Sequence, residues 1–307
     1  MNIVYLGTPD FATFPLEKII GEGKHKVVAV VTNPDKPVGR KRVLTPPPVK
    51  VVAEKYGIPV YQYDKIRVQG VDDLIKLKPD IMITCAFGQI LSQEILDISV
   101  FGVINIHASL LPKYRGASPI HYAILNGEKT TGITIMKTDI GIDTGDMILQ
   151  RELEVLEGET CGELFSRLSV LGADCILETL DLIENGKVQL KKQDDSIATY
   201  TKIFKKEDAL IDWADSAENI YNKIRAFNPS PVAFTLLNGE PFKIYSAKPV
   251  NASGEAGEIL KVDGELIVGC GSGVLSLTKV QKCGGNALDI KDFLRGSRLK
   301  VGDRFGK

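Results

Sequence analysis

The sequence has few residues of the kinds that hold structural metals or disulfides. Its five cysteines are odd in number and scattered, with no Cys-x-x-Cys pair, and only three histidines are present. Zinc sites need closely spaced Cys, His or carboxylate ligands, and disulfide frameworks need paired cysteines. We therefore expect no metal centre, and reduced thiols in a cytoplasmic setting.

Long apolar runs are also missing. No stretch approaches the roughly 20 apolar residues of a transmembrane helix, and the start, NIVYLG, is strand-like and unlike a signal peptide. No apolar helix suited to a subunit interface stands out. The net charge of −1 means that a nucleic-acid partner would need a local basic patch. These absences predict a cytoplasmic monomer that does not contact a membrane.

The N-terminal part of the chain does contain a regular alternation of strands and helices. Continuous apolar runs at 2–7 and 26–32 are typical of strands covered on both faces, and further strands are predicted at 58–63, 80–86 and 102–108. Such alternation predicts an α/β fold with a Rossmann-like open, mostly parallel sheet, whose ligands bind at the carboxyl ends of the strands. The turn after the first strand lacks G-x-G-x-x-G, and no phosphate-loop motif occurs, so dinucleotide binding is not indicated.

The composition changes after Gly186. Residues 189–206 are polar and carry no long apolar run, whereas short strand-like runs between turn residues follow them. That pattern is typical of a small β-barrel. The sequence therefore predicts a first domain at 1–188, a linker at 189–206 and a second domain at 207–307.

Two polar residues end the fifth predicted strand. Asn105 and His107 are two apart, so their side chains project from one face at the carboxyl end of the strand. A histidine there can move protons near neutral pH, and an asparagine amide can donate to a developing oxyanion. The alternative is that His107 only caps a loop through a main-chain hydrogen bond.

A second candidate element is the segment 138–148, TDIGIDTGDMI, with Asp139, Asp143 and Asp146 among glycines. A carboxylate held against a histidine would orient it, although spacing alone does not select one of the three. The alternative is a turn whose aspartates bond to main-chain amides. Aspartic proteases also carry D-T-G, but they need two such carboxylates in one site, and this chain has one D-T-G.

A third candidate is the loop 33–50, NPDKPVGRKRVLTPPPVK, which is rich in proline and basic residues. Loops of this length are usually functional or mobile. Arg40, Lys41 and Arg42 form a compact positive tip suited to phosphate contact. A solvated loop without a partner is the alternative interpretation.

Taken together, these motifs resemble the methionyl-tRNA formyltransferase family from end to end. The wider group of formyltetrahydrofolate-using enzymes shares only the N-x-H-x-S-L-L-P stretch, whereas the basic loop and the C-terminal motifs narrow the resemblance to the tRNA enzymes. Ser230 departs from the pattern, because many relatives carry an aromatic residue there. The matching segments are GTPDFA (7–12), NPDKPVGR (33–40), NIHASLLPKYRGASPI (105–120), TDIGIDTGDMI (138–148), YTKIFKKEDALIDW (200–213), IRAFNPSPVAFT (224–235) and GGNALDIKDFLRG (284–296).

The resemblance implies a role for each candidate element. It implies formyl transfer from 10-formyltetrahydrofolate, a co-substrate, to initiator methionyl-tRNA, without a metal. It also implies that the second domain is an OB-like barrel that binds tRNA. By residue, it implies catalysis by Asn105, His107 and Asp143, folate contact by Ser109, Leu110, Leu111 and Pro112, and tRNA contact by Arg40, Lys41 and Arg42.

Two other functions remain open from the sequence. A formyltransferase acting on a sugar-nucleotide amine would keep the same chemistry and change the acceptor, since such enzymes can also carry a barrel. An RNA-binding protein with a degenerate α/β scaffold is the second, and the intact Asn105, His107 and Asp143 argue against it.

Overall fold

The structure is a computed structural model that describes residues 1–39 and 41–306. The chain forms two compact units. The first comprises Met1–Pro119, Thr131–Glu154 and Phe165–Thr201, and the second comprises Ile120–Thr130, Val155–Leu164 and the residues from Lys202 onward. The division after Thr201 falls inside the segment 189–206, and the domain limits given by the sequence stay a prediction.

The helices and strands follow in chain order. Up to residue 184 they are β1 (Asn2–Gly7), α1 (Thr13–Glu22), β2 (Lys26–Thr32), β3 (Lys36–Val38), β4 (Val43–Thr45), α2 (Pro48–Lys55), β5 (Val60–Gln62), α3 (Ile66–Gln69), α4 (Val71–Leu77), β6 (Ile81–Cys85), α5 (Gln93–Leu96), β7 (Val103–His107), β8 (Arg115–Gly116), α6 (Pro119–Leu125), β9 (Thr130–Lys137), β10 (Met147–Glu154) and α7 (Cys161–Glu184). Beyond it they are β11 (Tyr200–Thr201), α8 (Ala217–Ala226), β12 (Phe234–Leu237), β13 (Glu240–Val250), β14 (Ile259–Lys261), β15 (Leu266–Gly269), β16 (Val274–Lys282), β17 (Leu288–Asp289) and α9 (Ile290–Arg295).

The main sheet of the first unit is mostly parallel. Among the described residues, seven strands form it in the order β10-β9-β7-β6-β1-β2-β5. Along the sheet, the neighbouring strands β5, β2, β1, β6 and β7 pair in parallel, and β9 pairs with β7 antiparallel. All of β6 and nearly all of β1 are buried, as expected for strands covered on both faces. The predicted Rossmann-like sheet is confirmed.

The register of this sheet brings polar residues together at one edge. In the parallel pair β6–β7, Thr84 lies beside Asn105, and His107 ends β7 two residues later. The carboxyl ends of adjacent parallel strands meet at the same edge, where ligands bind in such folds. The sheet therefore sets the position of the candidate site.

The basic loop contains more regular structure than its composition predicts. The strands β3 and β4 pair antiparallel, with Lys36 opposite Thr45 and Val38 opposite Val43. The loop is thus a short hairpin with exposed strands.

The second unit contains an antiparallel sheet. Its strands follow the order β12-β13-β16-β15-β14, with β17 paired to β16. In its core, the Trp213 ring stacks on Phe305 at 5.6 Å and donates its Nε1–H to the Thr235 hydroxyl at 2.9 Å. The predicted small barrel-type domain is confirmed. Within the described residues, no helix is both long and apolar enough to cross a membrane.

Candidate active site

Asn105 presents its amide in a fixed orientation. The hydroxyl of Thr84, on the neighbouring strand, donates to Asn105 Oδ1 at 3.0 Å. The Asn105 Nδ2 then faces Asp143 and donates to its Oδ1 at 3.3 Å. Because an amide nitrogen has two hydrogens, one remains for a further acceptor.

His107 lies between a carbonyl and a carboxylate. The imidazole is buried, and its Nε2 is 3.0 Å from the main-chain oxygen of Tyr114. A carbonyl only accepts, so Nε2 carries the hydrogen and donates. Nδ1 lies 3.6 Å from Asp143 Oδ2. The loop-capping contact proposed as the alternative is therefore present, and the ring still keeps its second nitrogen toward the carboxylate.

The structure brings Asn105, His107 and Asp143 together, whereas the Asp139 side chain is engaged within its own turn. Asp143 has a φ of 52°, and its Oδ2 accepts from the main-chain N–H of Gly116 at 2.8 Å. Asp139 accepts from Gly141 N and from the Thr144 hydroxyl, which is the turn role considered for all three.

Sequence reasoning missed several residues that hold this cluster. Thr84 had a signal, because it is a polar residue near the carboxyl end of a buried strand. Gly116 has a φ of +99°, and a Cβ there would lie 2.7 Å from the Thr201 main-chain oxygen, so glycine is required. Gln193 donates from Nε2 to the main-chain oxygen of Asp143 at 2.8 Å. It lies in the polar segment 189–206, whose composition gives no such signal.

The SLLP loop, residues 109–112, is held in place mainly by contacts within the protein. The Ser109 side chain is fully buried and donates to Lys113 O at 2.7 Å. Leu111 is buried with Met136 and Met147, and Pro112 is also buried. Leu110 is half-buried, so it is the most accessible side chain of the four.

Within the described part of the chain, Cys85 lies beside β7 and is not an activated thiol. Cys85 follows Thr84 on β6, and burial raises the pKa of its thiol to about 12. A thiol with that pKa stays protonated near neutral pH and is a poor nucleophile.

The basic hairpin has exposed cations at its tip and a fixed polar base. Lys41 and Arg42 are exposed, whereas Arg40 lies outside the described residues. At the base, Lys50 Nζ donates to both carboxylate oxygens of Asp35 at 2.9 Å, and Gln62 Nε2 donates to the same carboxylate at 2.9 Å. The hydrogen bond from Gln62, together with Lys50, lowers the pKa of Asp35 below its usual value.

One group of described side chains has the composition of a metal site. His25, Asp181 and Glu184 bring ligand atoms within 4.8 Å of one another. The ammonium of Lys24 donates to both carboxylates and so occupies the place of a cation. This group lies just before β2 and at the end of α7, away from the carboxyl end of β7 in the chain.

Comparison with known sequences places both parts of the chain in one family. Residues 1–180 match the formyl transferase family, and residues 203–298 match the formyl transferase C-terminal domain. A methionyl-tRNA formyltransferase of Geobacter sulfurreducens is 47% identical, over 100% of this chain and 97% of the relative. One from Bacillus subtilis is 46% identical, over 99% and 98%.

Solved structures of lower identity share the fold. The N-formyltransferase from Helicobacter canadensis, in complex with folinic acid and dTDP-3-aminofucose, has a TM-score of 0.69 at 21% identity, over 91% of this chain and 98% of that one. HypX from Aquifex aeolicus in complex with tetrahydrofolic acid has a TM-score of 0.66 at 19% identity, over 98% of this chain and 50% of HypX. The family matches and the full-length identity show that the chain belongs to the methionyl-tRNA formyltransferase family.

Proposed function

We propose that this chain transfers the formyl group of 10-formyltetrahydrofolate to the α-amino group of methionyl initiator tRNA. The observation that carries the proposal is the convergence of Asn105 and His107 on Asp143 at the carboxyl end of β7. The full-length identity to methionyl-tRNA formyltransferases supports the same substrates. The chain would act as a cytoplasmic monomer.

The reaction needs a hydrogen-bond donor that stabilises the oxyanion and a group that carries a proton. The amine nitrogen of methionyl-tRNA attacks the formyl carbon, and a tetrahedral intermediate forms. The free amide hydrogen of Asn105 would stabilise its oxyanion, because a donor already in place costs no reorganisation. Since His107 Nε2 is engaged by the Tyr114 carbonyl, Nδ1 would take the proton that the amine loses, with Asp143 stabilising the imidazolium.

Collapse of the intermediate completes the transfer. The bond between the formyl carbon and N10 of the folate breaks, and the proton held by His107 goes to N10. The products are formylmethionyl-tRNA and tetrahydrofolate. The protein forms no covalent bond with either substrate in this scheme.

The SLLP loop would contact the folate through a limited set of groups. Ser109, Leu111 and Pro112 are buried, so their side chains would support the loop, whereas Leu110 and main-chain groups would meet the ligand. The Leu111 main-chain oxygen already accepts from Gln150 at 2.8 Å, which keeps the loop in place.

The tRNA would meet the basic hairpin. Arg40, Lys41 and Arg42 offer three positive charges for phosphates at the acceptor end. The barrel-type second domain would add to tRNA binding, as in other OB-like domains that bind oligonucleotides.

The acceptor can be tested directly. Purified full-length protein is given 10-formyltetrahydrofolate with either methionyl initiator tRNA or a sugar-nucleotide amine, and each product is measured by mass spectrometry. We expect formylmethionyl-tRNA, and no formylated sugar above background. Formylation of the sugar nucleotide alone would replace this function by the alternative, and no transfer to either acceptor would contradict the proposal.

A further inference from the structure

We propose that Gln193 is a positioning residue for Asp143, acting together with Arg115 and a segment that we call the strap, residues 193–201. The inference rests on the proposed function, because it assigns Asp143 a role in the formyl transfer. The strap lies in the first unit and carries a short helical turn at Asp195–Ile197 and the strand β11.

Gln193 holds the main chain at the candidate catalytic aspartate. Its Nε2 donates to the main-chain oxygens of Asp143 and Gly145, each at 2.8 Å. Its Oε1 accepts from Arg115 Nε at 2.9 Å. Carbonyls only accept and a guanidinium only donates, so one orientation of the amide satisfies all three contacts.

Arg115 anchors Gln193 from the other side. Its side chain is 1% exposed, although it carries a permanent charge. A buried guanidinium must be paired, and the strap provides the partners. Its Nη2 donates to Asp195 at 2.6 Å, and its Nη1 donates to the Tyr200 hydroxyl at 3.0 Å.

The main chain at Arg115 and Gly116 also holds Asp143 in position. The Arg115 N–H donates to Thr199 O at 2.8 Å, and the next N–H, that of Gly116, donates to Asp143 Oδ2 at 2.8 Å. Asp143 is thus held at its main chain by Gln193 and at its carboxylate by Gly116. Its φ of 52° lies in the left-handed region, which is uncommon for non-glycine residues, although aspartate adopts it more readily than most.

These contacts give the strap a function beyond joining two domains. Asp143 lies on an exposed loop flanked by glycines, so its position depends on contacts from outside that loop. Small displacements of a catalytic group reduce rates strongly. Gln193 would therefore affect the chemical step without contacting either substrate.

The substitution Gln193→Glu keeps the hydrogen-bond acceptor of the Gln193 side chain and removes its donor. A glutamate still accepts from Arg115, with the added strength of opposite charge, but it cannot donate to the oxygens of Asp143 and Gly145. The control is Ile197→Glu, which adds the same charge on the strap at a side chain that is 55% exposed.

The test measures kcat, KM for both substrates and the thermal unfolding midpoint of the full-length variants. For Gln193→Glu we expect kcat to fall about 10- to 100-fold, with both KM values within about twofold of wild type and a midpoint that is lowered but stays above the assay temperature. Ile197→Glu should behave as the wild type.

Three outcomes would overturn the inference: wild-type kcat in folded Gln193→Glu, a higher KM with kcat retained, or an equal loss of kcat in Ile197→Glu. If Gln193→Glu does not fold, Gln193→Met is used instead, because methionine lacks both the donor and the acceptor of the amide. Its kcat is measured below its own unfolding midpoint, and a wild-type kcat would again overturn the inference. An inactive wild type would contradict the proposed function instead, so the two failures are distinguishable.

Discussion

The polar residues at the end of β7 depend on neighbours for their orientation. In the proposed reaction Asn105 stabilises the oxyanion, and the Thr84 hydroxyl bound to its oxygen directs its nitrogen toward Asp143. His107 presents Nδ1 to Asp143 because the Tyr114 carbonyl accepts from Nε2. In each residue, therefore, a hydrogen bond at the atom that points away from Asp143 determines which atom faces Asp143.

Replacing Thr84 tests this dependence. In Thr84→Val the amide of Asn105 loses the donor that fixes it and can rotate, so we expect kcat to fall about tenfold, with KM for 10-formyltetrahydrofolate little changed; steady-state kinetics measures both. Thr84→Ser keeps the hydroxyl and is the matched control. Equal kcat values for the valine and serine variants would show that Thr84 does not orient Asn105.

Only some of these residues could be predicted from the sequence. Asn105 and His107 were predictable because strand alternation places residues two apart on one face. Thr84 depends on the register between β6 and β7, and Gln193 reaches Asp143 across 50 positions of sequence. A pattern within one segment carries no information on such contacts.

The basic hairpin joins a charged tip to an ordered base. Its exposed tip is suited to phosphate contact, whereas the base is fixed by Asp35, Lys50 and Gln62. The sequence indicated a proline-rich loop, and the pairing of β3 with β4 could not be read from it, because both strands are short and lack alternation.

The tip can be tested through the salt dependence of tRNA binding. Replacing Lys41 and Arg42 by alanine removes two cations, so fewer counterions are released when tRNA binds. We expect weaker binding and a slope of log K against log salt that is shallower by about 1 to 2. Lys26→Ala combined with Lys187→Ala removes two exposed cations elsewhere and should leave the slope unchanged. An unchanged slope in the hairpin variant would exclude it from the tRNA interface.

The base of the hairpin gives a pH-dependent contribution to stability. The folded-state pKa of Asp35 is lowered by Gln62 and Lys50. Its contribution is therefore present above the unfolded pKa of about 3.9 and is lost as the pH falls through the folded value. We expect Asp35→Asn to lower the urea midpoint at about pH 7 and to differ less from wild type below about pH 4. Asp64→Asn, at a nearby exposed carboxylate, is the control, and a difference that grows on acidification would contradict this account.

At the scale of the whole molecule, the fold class of each of the two units was predictable from the sequence, but not every residue that packs in their cores was. Apolar runs predicted the mostly parallel sheet, and turn-bounded short runs predicted the antiparallel one. The C-terminal end was not predicted to enter a core, yet Phe305 is buried against Trp213 and Phe242. A single aromatic residue after a polar stretch carries no periodicity, so sequence patterns do not reveal this contact.

In the proposed function, Asn105, His107 and Asp143 perform the formyl transfer. The most direct test is the single-turnover rate of formylmethionyl-tRNA formation by Asn105→Ala, His107→Ala and Asp143→Ala, each compared with wild type at saturating substrates. We expect losses of about 100- to 1000-fold for Asn105→Ala, losses of at least about 100-fold for the other two, and unchanged far-UV circular dichroism for all three. A wild-type rate in folded His107→Ala would contradict the account.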